Sequence, residues 1–197
     1  MTSAKLSPPT IFVGLGNPGE KYLKTRHNIG YWFLDLLADH HNASPFKSES
    51  KLLGTAAKVS FAERKLLLVK PSTFMNESGE SIRRFLNYYK FDLSNLCVIH
   101  DDLDLQYGSS KIKFDGGHGG HNGLRNVIDV CGSAFLRIRI GIGHPERQDA
   151  TDYVLSKPTL EEATSINSAL NTALESVDIM LHQSVAKAMD LLNQSHS

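Results

Sequence analysis

Glycines, two histidines and an amide crowd into Gly116-Gly117-His118-Gly119-Gly120-His121-Asn122-Gly123. Three more clusters have the same site-like character. They are Gly14-Leu15-Gly16-Asn17-Pro18-Gly19 with Thr25-Arg26-His27-Asn28 behind it, Lys70-Pro71-Ser72-Thr73-Phe74-Met75-Asn76, and His100-Asp101-Asp102-Leu103-Asp104. A hydrophobic core gains nothing from such stretches, whereas a pocket built from loops does. The side chains on offer suit hydrolysis by activated water. Histidine is the usual base, because its unperturbed pKa of about 6.5 lies near working pH. Four asparagines, Asn17, Asn28, Asn76 and Asn122, lie in or beside the loops. Each neutral amide offers two donors and an acceptor, which suits a peptide-like substrate and a developing oxyanion. Any one of them alone reads equally well as a turn residue or a helix cap.

Other chemistries fit less well. Gly14-x-Gly16-x-x-Gly19 matches the dinucleotide fingerprint by letter, but that fingerprint needs a helix to open within the glycines. Here Pro18 and a polar stretch intervene, and the acids about twenty residues on, Asp35 and Asp39, fall inside a predicted helix. His118 and His121 with Asp101, Asp102 and Asp104 offer a nitrogen and oxygen donor set for a metal, although glycines separate the two histidines. No Gly-x-Ser-x-Gly elbow occurs. Neither Cys97 nor Cys131 has metal or disulfide spacing, and both read as thiols in a reducing compartment.

The elements that must hold these clusters follow from periodicity. Short apolar or alternating runs predict strands at 11–15, 52–61, 65–70, 96–100, 110–114 and 136–142, the last with Arg137 and Arg139 on one face. Helical spacing predicts helices at 29–41, 78–90 and 122–131, and a helical segment over 160–192 in two pieces. Each cluster follows a predicted strand directly or nearly so. The expectation is a single α/β domain over residues 11–197. It has a mixed, twisted β-sheet flanked by helices and a C-terminal helical segment, with ligands at the strand ends. Residues 1–10 read as a disordered leader. The 197-residue chain is 41% hydrophobic and 21% charged, an ordinary globular balance. No apolar stretch is long enough to cross a bilayer. Net charge is zero but uneven: through Arg147 there are 19 Lys and Arg against 14 Asp and Glu, and the last fifty residues reverse that excess. A neutral total therefore leaves room for a basic face toward a polyanion.

Taken together and in order, the four clusters resemble bacterial peptidyl-tRNA hydrolases. Arg137-Ile138-Arg139-Ile140-Gly141-Ile142-Gly143 extends the likeness, which covers roughly residues 11–157. The resemblance implies a monomeric, cytoplasmic, cofactor-free α/β enzyme that cleaves the ester between a peptide and the 3′ end of tRNA. By matching position, His27 is the base that activates water and Asp101 orients it. Asn17 and Asn76 contact the substrate near the ester, and Asn17 helps to distinguish N-blocked from free aminoacyl chains. Tyr22, Phe74, Met75, His121 and Asn122 line the site, and Lys113 and Arg139 meet a tRNA phosphate. No metal and no membrane partner is expected. Asp115 stands where the family usually has glycine, beside Lys113. A non-catalytic RNA-binding module is the competing class, and a paired His27 and Asp101 would argue against it.

Overall fold

The computed structural model describes residues 6–145 and 148–194. Seven strands form one sheet: β1 (Ile11–Gly14), β2 (Lys47–Glu49), β3 (Gly54–Phe61), β4 (Arg64–Pro71), β5 (Leu96–Asp102), β6 (Ser110–Phe114) and β7 (Leu136–Gly141). Their order is β2-β3-β4-β1-β5-β7-β6. The central strands β4, β1, β5 and β7 run parallel, while β2, β3 and β6 add antiparallel margins. Parallel strands are covered on both faces and read as nearly unbroken apolar runs. In β1, Phe12 faces one core, with Ile11 and Val13 in the other, and all three are buried.

Among the described residues, six α-helices supply the covering layers: α1 (Ile29–His40), α2 (Ser78–Tyr89), α3 (Asn122–Cys131), α4 (Ala150–Val154), α5 (Leu160–His182) and α6 (Val185–Gln194). Phe33, Leu34 and Leu37 of α1 join Ile166, Leu170 and Val177 of α5 in the first core. Ile82, Phe85 and Leu86 of α2 join Leu124 and Val127 of α3 in the second. The expected α/β architecture is therefore the one observed, including a C-terminal helical segment that breaks at Gln183–Ser184. A capping box starts that segment: Thr159 Oγ1 accepts the Glu162 N–H at 3.3 Å, and Glu162 Oε2 accepts the Thr159 N–H at 2.6 Å. Its end protects the sheet margin, where Asn193 pairs with both the N–H and the carbonyl of Ile112 in β6.

Two elements are absent from the sequence reading. β2 has three polar residues, too few to display alternation, and α4 is little more than a turn capped by Asp149. Of the expected leader, residues 1–5 lie outside the described residues. The rest has defined places: Leu6 packs on the first core, Pro9 is buried, and the Thr10 carbonyl accepts the Leu67 N–H at 2.9 Å.

The glycines after β1 act by allowing close approach. A Cβ on Gly14 would stand 2.2 Å from the Gly30 carbonyl oxygen at the start of α1. The backbone of β1 thus touches the helix directly, and the helix opens at Ile29, not within the glycines. That is why the dinucleotide pattern is a match by letter only.

This contact generates a stability prediction. Gly14→Ala forces backbone apart in a packed core and should cost about 1–3 kcal/mol or more, read as a lower urea midpoint. Gly117→Ala, where an added Cβ meets nothing within 4 Å, should stay within about 0.5 kcal/mol of the parent. Equal midpoints for the two variants would contradict the close-approach account.

Candidate active site

The carboxyl ends of β1, β4 and β5 bring three clusters to one edge of the sheet, and the glycine loop before α3 closes over them. A cavity of about 500 Å³ results, lined among others by Asn17, His27, Met75, Asn76, Asp101, His121 and Asn122. Seven of the residues expected in the site therefore converge, from five separate stretches of chain.

Asp101 is the centre. It is 2% exposed at the end of β5. Both of its oxygens lie 3.0 Å from His27 Nδ1, and Oδ1 lies 3.1 Å from His121 Nε2. Burial alone pushes a carboxyl pKa upward, but the two imidazoles hold Asp101 well below the usual carboxylate range. An ionised carboxylate only accepts, so each ring nitrogen facing it carries the proton.

That assignment separates the histidines. In His121 the other nitrogen, Nδ1, accepts the Leu124 N–H at 3.2 Å and caps α3. Both of its nitrogens are committed. His100 donates from Nδ1 to the Asp101 carbonyl at 2.7 Å, and burial, aided by His121, lowers its pKa to about 3, so it stays neutral. His118 Nδ1 accepts the Gly120 N–H and shapes the loop. His27 alone combines an Nδ1 held by the carboxylate with an Nε2 that has no protein partner, and it lines the cavity. The alternative partners are also excluded. Asp102 accepts from Arg139 Nε at 2.6 Å and from the Asp104 N–H at 3.0 Å, and Asp104 pairs with exposed His144. Of the donor set read from sequence for a metal, His118 and His121 with Asp101, Asp102 and Asp104, only His121 and Asp101 come together. His27, Asp101 and His121 are the trio whose ligand atoms cluster here.

Asn17 is oriented equally closely. Its Oδ1 accepts the Met75 N–H at 2.8 Å, which turns the amide NH₂ away from that bond and leaves it unpartnered. Its backbone is clamped by Asn28, which accepts the Asn17 N–H and donates to the Asn17 carbonyl, both at 2.9 Å. Asn28 is thus a bracket, fully buried, and does not line the cavity. Asn76 and Asn122 are exposed on the cavity wall.

Four expected site residues lie elsewhere. Tyr22 and Phe74 form an edge-to-face pair with centroids 6.4 Å apart, outside the main cavity lining. Lys113 and Arg139 line a second cavity of about 220 Å³ with Arg137 and His100. Asp102, His118 and Gly119 line both cavities, so they adjoin. Arg137 is spent on the Gly116 and Gly117 carbonyls and braces the loop. Asp115, at φ 61°, accepts the Gly116 N–H and makes no ion pair with Lys113.

Sequence reasoning missed two parts of the wall. Arg125 follows Asn122 by one helical turn, a spacing that puts both on one face, and it lines the main cavity. Ala150, Thr151, Val154 and Leu155 of the α4 region complete it. Arg26, 4% exposed, pins that wall beside His27. Its guanidinium donates to Ser156 Oγ and to Glu162 Oε2, both at 2.6 Å, and to the Tyr153, Ser156 and Lys157 carbonyls.

Comparison with known proteins identifies the family. The family model described as peptidyl-tRNA hydrolase matches residues 11–197. The peptidyl-tRNA hydrolase of Ruthia magnifica is 44% identical over 185 residues, covering 93% of this chain and 96% of its own. That of Yersinia pestis is 40% identical over 191 residues, covering 95% and 97%. A crystal structure of peptidyl-tRNA hydrolase from Acinetobacter baumannii superposes with a TM-score of 0.91 at 36% identity, over 97% of each chain. With the family model spanning nearly the whole chain and relatives well above 30% identity, this chain belongs to the peptidyl-tRNA hydrolase family.

Proposed function

We propose that this chain hydrolyses the ester joining a peptidyl or N-blocked aminoacyl group to the 3′ end of tRNA, with His27 as general base. The observation that carries the reading is the free Nε2 of His27 beside a buried, ionised carboxylate. Water bound at Nε2 gives up a proton as its oxygen attacks the ester carbonyl. The imidazolium formed is stabilised by Asp101, which stays ionised throughout. The same imidazolium then protonates the departing ribose oxygen, releasing a tRNA hydroxyl and a peptide carboxylic acid, which loses its remaining proton to solvent. Asn76 offers an amide N–H to the developing oxyanion. Met75, Asn122 and the nearby Tyr22 and Phe74 receive the peptide and the terminal base. Residues 11–197 act as one monomeric unit in the cytoplasm, and the scheme uses only side chains and water. No helix among the described residues is long and apolar enough to cross a membrane.

His27→Ala should lower kcat by ~10²–10⁴-fold with little change in KM for the tRNA. Asp101→Asn should lower kcat with little change in KM, because the imidazolium formed in the reaction loses its counter-charge. Asp102→Asn should lower kcat far less. A His27→Ala enzyme with more than about a tenth of parental kcat would remove His27 from the role. Loss of activity on dialysis against chelator would instead favour a metal-assisted reaction.

The basic second cavity supports binding of a tRNA phosphate. Arg139 reaches it with Nε tied to Asp102 and its terminal amino groups unpaired, and Lys113 is exposed. Each phosphate contact contributes roughly −0.7 to −0.9 to the slope of log affinity against log salt. Lys113→Ala should flatten the slope by about that amount, and the double change with Arg139→Ala by roughly one to two units, while kcat holds. Unchanged slopes would place the tRNA elsewhere.

Asn17 supports selection for a blocked amine. With Oδ1 held by Met75, the side chain presents donors only, which pair with an amide carbonyl and not with an ammonium group. N-acetyl-aminoacyl-tRNA should exceed aminoacyl-tRNA in kcat/KM by about tenfold to a hundredfold, the equivalent of one buried polar group left unpaired. Asn17→Asp keeps the Met75 contact but replaces donor by acceptor, so it should narrow the gap from both sides. Equal kcat/KM for the two substrates in the parent enzyme would leave a general aminoacyl-ester hydrolase.

A further inference from the structure

Outside the main cavity, one other group of side chains among the described residues converges like a ligand set. His40 ends α1 and His41 follows it, while Asp178 projects from α5. His40 Nε2 lies 3.1 Å from Asp178 Oδ2, and His41 Nε2 lies 3.0 Å from Asp178 Oδ1. All three ligand atoms fall within 4.8 Å of one another. Ligand atoms held about 2.0–2.1 Å from a tetrahedral ion stand about 3.3–3.4 Å apart, close to the two histidine–carboxylate distances here.

The second observation concerns what these atoms lack. His41 Nε2 and Asp178 Oδ1 are buried and adjacent, yet they are not aligned for a hydrogen bond, and neither has another partner. An unpartnered polar atom in a buried position is costly, and native structures resolve nearly all of them. With His41 in the tautomer that protonates Nδ1, a cation held between Nε2 and Asp178 Oδ1 satisfies both atoms at once. An ion here displaces one exposed hydrogen bond, His40 Nε2 to Asp178 Oδ2 at 3.1 Å, whereas in the catalytic trio it would break the bonds that hold His27 and His121 on Asp101.

We propose that His40, His41 and Asp178 bind a divalent transition-metal ion of borderline softness, with Zn²⁺ as its occupant. Two imidazoles and a carboxylate select that class over Mg²⁺ or Ca²⁺. Solvent fills the remaining position, because the His40 side chain is 45% exposed and leaves a path for entry. His182 lies one turn beyond Asp178 on α5. Its ring stands 4.5 Å from Phe61, which in turn packs edge-on against His41 at 5.1 Å. Phe61 therefore walls the site on its inner side. The ion clips the end of α1 to α5, across 138 residues of sequence, and its effect is on stability and not on the ester reaction.

The test uses the full chain after chelator treatment and gel filtration. Zn²⁺ is titrated by calorimetry, and Co²⁺ is followed through the visible absorption of a four-coordinate ion. At Zn²⁺ about a hundredfold above its Kd, the melting temperature should rise by roughly 5–10 °C. His40→Gln and Asp178→Asn should each weaken this binding at least tenfold and abolish the rise, with metal-free hydrolysis within twofold of the parent. His40 is exposed, so His40→Gln carries the test even where Asp178→Asn folds poorly. The same titration on His121→Gln separates the two clusters, and the component sensitive to His40 should survive in it. Absence of Zn²⁺ binding, an unaltered isotherm and melting rise in His40→Gln, or loss of the His40-sensitive component in His121→Gln would each overturn the proposal.

Discussion

A carboxylate buried at the end of a parallel strand must be met by donors, or it takes up a proton and ceases to be an anion. Asp101 is met by two neighbouring imidazoles, His27 after β1 and His121 at the head of α3. Each imidazole comes from a separate loop, so the charge sets where both loops stand. Once His121 donates to Asp101, its remaining nitrogen points at the Leu124 N–H and caps the helix. Once His27 donates to Asp101, its remaining nitrogen is left for the cavity. One ionised group thus fixes two tautomers, the start of a helix and the position of the proposed base.

The surroundings of that charge are built for stiffness. Gly14 and Gly30 let strand and helix backbones touch, which sets the direction in which the chain enters the Asn17 turn. Asn28 then grips the Asn17 backbone from both sides while Met75 holds its side-chain oxygen. On the other side, Arg26 ties the turn carrying His27 to the segment around Tyr153–Lys157. The guanidinium is buried, and its partners include Glu162, the residue that also caps α5. Removing either member of such a buried pair leaves the other uncompensated, so the C-terminal helices and the catalytic turn are mechanically linked.

Much of this was legible in the sequence, and the boundary between what was and was not is physical. The strands and long helices showed because their apolar periodicity spans enough residues to be read, as in Ile82, Phe85 and Leu86 of α2. β2 and α4 did not show, because three polar residues and a single turn carry no period. The clusters were legible as a site, since seven of their residues line one cavity. Residue types alone could not rank His27 above His118 or His121, or set Asn28 apart from Asn17, Asn76 and Asn122. Those distinctions depend on which hydrogen-bonding atoms are already occupied, and occupancy is a property of tertiary contacts between residues as far apart as 27 and 101. The family resemblance supplied the ranking before the geometry did. Arg26 shows the converse. It stood inside a recognised motif, but its role as the anchor of the cavity wall depends on partners more than a hundred residues away.

The same accounting of occupied atoms supports assigning the proposed base to one histidine among four neighbours. His100 is sealed in the core and held neutral, His118 shapes a glycine loop, and His121 has both nitrogens engaged. A base needs an open lone pair together with a fixed neighbour that favours its charged form. His27 meets both conditions because Asp101 takes one nitrogen and leaves the other. Asn17 follows the same logic with its polarity reversed: its acceptor is taken, and its donors remain. His27 and Asn17 thus enter the cavity with one hydrogen-bonding function each, the other having been taken by a protein partner. On the proposed reading, that reduction is what lets ordinary loop residues, each plausible elsewhere as a cap or a turn, tell an ester carrying an amide from one carrying a free amine.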